Sequence, residues 1–278
     1  MCEKNPDCFN SKTLVLDTNF LDQVNRTIRA ELGSKTLGKP FEEQRPIFIT
    51  RAQKIVENMG RCGGGQVFTS DKVYDDEIDI SKLNSALRTA DPDFFDNLCM
   101  DLWFIHTLSD IYQNGISIEE MTEREVEVFQ GILSEDVGYA DASLVLLALK
   151  LSQDQEVVVI TDDLELQKAI KDLIKRDRIS FEDRSLTTRN IHCIGSLLFL
   201  RSLHLCCELS NDRWRSAIWS FAEHQINRYD NGEISLGTYQ EHRQYADQCI
   251  AQMLADCEAK KQREERNEDY KLFGVTDE

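Results

Sequence analysis

The run Val157-Val158-Val159-Ile160 constrains this chain more than any other stretch. Four β-branched residues follow one another with no polar residue between them. A strand with one wet face alternates with a period of two, whereas a run without alternation is covered on both faces. Such strands belong to parallel sheets, whose crossover helices lie over each face.

A second apolar run, Leu14-Val15-Leu16, ends on Asp17-Thr18-Asn19. The segment QVFTS is a further short strand closing on Ser70, a helix cap, and NIHCI is a candidate last strand. Helical patterns lie between them. Leu21, Val24, Ile28 and Leu32 recur at spacings of three and four, and residues 71–87 continue from Ser70 as a helix. Thr122 with Glu125 fits a capping box opening a helix through Leu133. Asp141 opens a mostly buried helix in GYADASLVLLALKLS, a basic helix follows Asp163, and a polar loop leads on to NIHCI. The alternation predicts an α/β fold, a three-layer α/β/α arrangement around a central, mostly parallel sheet.

From Asn211 onward no strand pattern occurs. Trp214, Ile218, Phe221 and Ile226 predict one helix, and Tyr239, Tyr245, Ile250 and Leu254 a longer one that runs into mixed charge. The expected organisation is a domain over residues 12–208, with an insertion around 33–65, and a helical extension over 209–278. Trp103, Trp214 and Trp219 fall on apolar helical stripes and are expected in the core.

The 278 residues suffice for a full core, and no apolar run reaches the roughly 18 residues of a membrane span. The segment MCEKNPDCFNSK lacks the apolar centre of a secretory signal, so a cytoplasmic chain is expected. The nine cysteines include no CxxC pair, which favours free thiols; His204, Cys206 and Cys207 lack zinc-ligand spacing. A formal net charge of −18 argues against a nonspecific nucleic-acid coat, but not against local basic patches and bound cations.

Ligands of open parallel sheets bind beyond the carboxyl ends of the strands, near the point where strand order reverses. Asp17 ends one buried strand, Asp162 and Asp163 follow another, and Asp141 opens a buried helix. Asp75, Asp76 and Glu77 lie about one turn into the helix after QVFTS. If the strands are neighbours, these acids converge and repel, and a cation resolves the conflict. Oxygen donors without His or Cys favour Mg2+ or Mn2+. The competing reading is that an aspartate after a strand serves as a turn residue or helix cap.

The order of the acids resembles that of the PIN-domain nucleases. LVLDTNFL is similar to their opening strand, FTSDKVYDDEI to their second motif, GYADASLVLLAL to their third and VVVITDDLEL to their fourth. The resemblance implies a Mg2+- or Mn2+-dependent endoribonuclease. Asp17, Glu77, Asp141 and Asp163 would bind metal, with Asp76 in reserve for Glu77. Asn19, Thr161 and Asp162 would support them. The second motif departs most from the family pattern, which leaves Asp75, Asp76 and Glu77 open as the second acid.

Lys168, Lys171, Lys175 and Arg176 on the helix after Asp163, followed by Arg178, Arg184 and Arg189, are candidates for RNA contact, as are Lys35, Lys39, Arg45, Arg51 and Lys54 in the insertion. The helical extension is a candidate surface for a homodimer or a protein partner; no membrane partner is expected. Two alternatives stand beside the nuclease. One is a weak or inactive RNA-binding scaffold of the same fold, and the other is a structure-specific DNA nuclease.

Overall fold

The computed structural model describes residues 12–20, 23–24, 26–28, 30, 50, 66–77, 116–133, 137–207 and 211–272. Side chains are described for all of these except 75–77, 203–213, 257, 260–261 and 263–272. The insertion (Thr50 apart) and its basic residues, Trp103, and residues 78–87 of the expected second helix lie outside the described residues.

The buried runs pair as their composition requires. β1 (Thr13–Leu16) lies between β2 (Val67–Ser70) and β4 (Val157–Ile160), and all three run parallel. β3 (Ser117–Glu119) extends the sheet beyond β2, and β7 (Ile191–Ile194) beyond β4, giving the order β3-β2-β1-β4-β7. Val15, Val157 and Val159 enter one apolar cluster, while Leu14, Leu16, Val158 and Ile160 are equally buried on the alternate positions. Both faces of the two central strands are therefore covered, which is the reason neither alternates.

The helices sit where the crossovers demand. α1 (Asp71–Glu77) follows β2, and Ser70 caps it by accepting the Val73 N–H. α2 (Glu123–Gln130) opens on the expected capping box of Thr122 and Glu125. α3 (Tyr139–Leu151) packs against β1, β2 and β4 with every residue from Ala142 to Leu149 buried. Its start corrects the expectation that Asp141 opens it: Gly138 is the N-cap and Asp141 lies in the first turn. α4 (Leu164–Ile174) lies beside β7, and α5 (Ser196–Cys207) follows β7. Edge-to-face contacts lock the layers, Phe20 on Phe199 at 5.3 Å and Phe129 on Phe181 at 5.6 Å between ring centroids.

The segment expected as a polar loop is instead a hairpin of β5 (Arg178–Phe181) and β6 (Arg184–Thr187). Ile179 and Phe181 drop into the core cluster while Arg178 and Ser180 face out. Its two-residue turn is Glu182-Asp183, with φ of 46° and 60°. Such a turn favours Asn-Gly or Asp-Gly, so the sequence carries no recognisable turn signal.

The chain divides into two compact units, residues 1–217 and 218–278, at a point inside α6 (Asn211–Asp230). The second unit pairs the end of α6 with α7 (Leu236–Leu272) through Phe221 against His242 and Tyr245, and through stacked Tyr229 and Tyr239. Trp214 is 3% exposed, as expected of a core residue, but Trp219 is 70% exposed. Positions 214, 218 and 221 share the buried stripe of α6, and 219 falls one step off it. Among the described residues no helix is long and apolar enough to cross a membrane.

Candidate metal centre at the sheet rim

Strand order reverses between β1 and β4, and their register sets Leu16 beside Ile160. The next residues, Asp17 and Thr161, therefore leave the sheet side by side at its switch point. The Thr161 hydroxyl donates to Asp17 Oδ2. Asn19 Nδ2 donates to the same oxygen at 2.9 Å, and the Thr18 hydroxyl donates to Oδ1 at 3.2 Å. Asp17 is 2% exposed. Burial pushes its pKa up, the Thr161 and Asn19 donors pull it down, and the charge of Asp163 pushes it up again.

Thr161 works in both directions. Its Oγ1 also accepts the backbone N–H of Asp163 at 3.0 Å, so one hydroxyl joins the first acid to the loop carrying the last. Asp163 is the N-cap of α4, with Oδ1 accepting from Glu165 N at 2.7 Å and Leu166 N at 2.9 Å. Both bonds fall on Oδ1, leaving Oδ2 unengaged by the described residues. Asp141 approaches from α3, half-buried. Burial, then the charges of Asp17 and Asp163, push its pKa up to about 7, while the Gly138 backbone N–H pulls it down. Gly138 suits that place because a Cβ there would come within 3.3 Å of Asp141 Oδ2.

Asp17, Asp141 and Asp163 thus lie within reach of one another's fields. Asp162 turns elsewhere: its Oδ1 accepts the Ser196 N–H at 2.8 Å and ties the end of β4 to α5. Burial pushes its pKa up to about 6, against the opposing effects of Ser196 and the charge of Arg26. The backbone of α1 runs through Asp75, Asp76 and Glu77, but their side chains lie outside the described residues.

The sequence reading passed over three polar contacts that hold this rim. The Ser70 and Ser143 hydroxyls meet at 2.6 Å, joining the end of β2 to the first turns of α3, two residues from Asp141. Thr69 Oγ1 donates to Leu16 O at 3.0 Å, fixing the strand end just before Asp17. Asp71 follows β2 as Asp17 follows β1, yet it is committed to structure. Its Oδ1 accepts from Lys72 N and from Met121 N at 3.0 Å, and its Oδ2 pairs with Lys72 at 3.1 Å. The only sequence signals for these contacts were small hydroxyls and one aspartate at strand ends or in the first turns of helices, patterns too common to single them out.

Among the described residues no group of three or more His, Cys, Asp or Glu is placed to hold a metal ion. The chemistry of the donors nevertheless fits a hard divalent cation. Every donor is a carboxylate oxygen, and burial first, then the charges of neighbouring acids, holds Asp17 and Asp141 above the usual carboxylate range, a cost that a cation would relieve. No family model, no curated protein and no solved structure matches the chain.

Proposed function

We propose that this chain is a Mg2+- or Mn2+-dependent endoribonuclease of PIN-like type, hydrolysing RNA phosphodiester bonds at the rim of β1 and β4. The observation that carries this reading is the convergence of Asp17, Asp141 and Asp163 at the switch point, with Thr161 linking the first acid to the last. Three acids drawn to one place against their own repulsion are costly unless a cation joins them.

Asp17, Asp141 and Asp163 would hold the cation, with Glu77 or Asp76 as the fourth donor. Bound there, a hard divalent cation supplies a nucleophilic water at neutral pH and counter-charge for the phosphodiester oxygens. Thr161 and Asn19 would favour the ionised form of Asp17 and fix its orientation by donating to Oδ2. Asp163 keeps Oδ1 on its helix and presents Oδ2. Asp162 holds the loop by its bond to Ser196, outside the donor set.

The test is cleavage of varied single-stranded and structured RNA with Mn2+, beside matched DNA. RNA cleavage that Asp17→Asn abolishes supports the reading. The variant should fold, because an Asn amide oxygen can accept the Thr161 and Asn19 bonds while its NH2 faces the Thr18 hydroxyl. Activity shared by wild type and variant, or absent from both, overturns it; cleavage of DNA alone selects the DNA nuclease.

A specific observation favours a second reading. Asp163 caps α4 and Asp141 turns back toward Gly138, so both acids have structural duties that need no metal. On that reading the chain is a binding module that has kept the rim without activity, and its RNA affinity survives EDTA.

A further inference from the structure

Between residues 168 and 189 the chain carries seven Lys and Arg against four Asp and Glu, a net +3 within a chain of −18. The remaining residues therefore carry −21, a field that repels polyanions from most of the molecule. The structure divides the seven cations into two groups. Lys175 pairs with Asp172 at 2.8 Å, Arg189 pairs with Asp177 at 3.1 Å, and Arg176 donates to Ile132 O at 3.1 Å. Lys168, Lys171, Arg178 and Arg184 are exposed and make no ion pair with any described residue.

Three of the unpaired four follow a path. Lys168 and Lys171 share the exposed face of α4, three residues apart, on the helix that Asp163 caps. Arg178 continues onto the outer face of the hairpin, whereas Arg184, opposite the buried Phe181, belongs to its other side. On the outer face Arg178 stands opposite Thr187, and Ser180 opposite Ser185, giving one guanidinium and three hydroxyls. Lys171 lies near enough to the Cys193 thiol for its charge to act there, and the same thiol feels Asp17 and Asp162. The near end of the path lies on the helix whose N-cap is Asp163 of the rim. Arg, Lys, Ser and Thr are the side chains that contact phosphates without reading sequence.

We infer that α4 and the outer face of the β5–β6 hairpin form a guide for the phosphate backbone of single-stranded nucleic acid, entered through Lys168, Lys171 and Arg178. This path rests on the nuclease reading for its purpose, but not for its existence. It also narrows the expected set: Lys175, Arg176 and Arg189 are engaged within the protein, and Arg184 lies off the path's face.

A charge-matched comparison tests it. Lys171→Ala with Arg178→Ala removes two cations of the path, and Lys175→Ala with Arg189→Ala removes two paired cations from the same segment. Binding of labelled RNA and DNA single strands of about 20 nucleotides is measured on the full chain in EDTA over a range of NaCl. Three phosphate contacts give a slope of log K against log salt of about −2, and losing two reduces it by about 1.4. The path pair is expected to weaken binding roughly tenfold, the control pair no more than about twofold. Equal weakening by both pairs assigns binding to diffuse charge and overturns the path, as does failure of the unaltered chain to bind either strand. Hydrolysis of bis(p-nitrophenyl) phosphate by the unaltered chain with Mn2+ tests the nuclease reading by itself. Path-dependent binding without that hydrolysis or any RNA cleavage leaves the guide standing and the nuclease reading overturned.

Discussion

A carboxylate that stays unsatisfied in the folded chain announces itself through pH. Asp141 has a folded pKa of about 7 against an ordinary value of 3.8. Between those values the folded chain holds more protons than the unfolded chain, so this group makes stability fall as pH rises. The penalty is absent below about pH 4 and complete above about pH 7. Asp141 is partly exposed, and solvent screening reduces its size to the order of 1–2 kcal/mol. Asp141→Asn is therefore expected to raise the Tm of the metal-free protein at about pH 8, and to raise it less at about pH 5. Thermal melts in EDTA measure it. If Asp141 were only a first-turn helix acid, losing its favourable interaction with the helix dipole would lower Tm instead. The sign of the change thus separates a metal acid from a capping acid at one residue.

At the scale of elements, the start of α4 carries two duties in one side chain. Asp163 caps the helix through Oδ1, and Asn and Asp cap almost equally well. Asp163→Asn should therefore leave stability within about 0.5 kcal/mol, while Asp163→Ala should cost roughly 1 kcal/mol. If both abolish Mn2+-dependent cleavage, the charge of Asp163 acts in the reaction; if Asn retains activity, capping is its whole role. Urea unfolding and an RNA cleavage assay on the same preparations decide between them. Elements with strong local signals were legible from the sequence. The unalternating runs at 14–16 and 157–160 gave the central strands, and the Thr122–Glu125 capping box stands as expected. The hairpin was not legible, because Glu182 and Asp183 adopt positive φ without the usual turn residues and its strands are only four residues each. β3 was missed because three exposed residues at a sheet edge carry no apolar pattern. Trp219 misled because a helical stripe fixes a face only to within one residue step. For the site, strand ends pointed to Asp17 and Asp163. Thr161 and Asn19 were expected to support the carboxylates, and both donate to Asp17; pairing of β1 with β4 is a tertiary fact, and with it came the choice of Asp17 as the Thr161 partner and the turning away of Asp162.

For the whole molecule, the −18 charge and the acid rim both attract cations, and they must be told apart. Diffuse charge is screened by any salt at equal ionic strength, since the Debye length is about 8 Å in physiological salt. A coordinated cation instead stabilises by mass action, by roughly 2.7 kcal/mol at a hundredfold excess over Kd. All three described acids of the rim belong to the unit over residues 1–217, and none to the unit over 218–278. Millimolar Mn2+ is therefore expected to raise the melting transition of the first unit by several degrees beyond NaCl of matched ionic strength, and to leave that of the helical unit unmoved. The effect should grow from about pH 5 to about pH 8, because protons compete for Asp141 across that range. Asp17→Asn and Asp141→Asn should each abolish the excess shift while keeping the NaCl response. Calorimetry with and without EDTA reads both transitions. An Mn2+ shift that NaCl reproduces, or that both variants retain, would place the cation in the general field of an acidic chain and leave the rim without its metal.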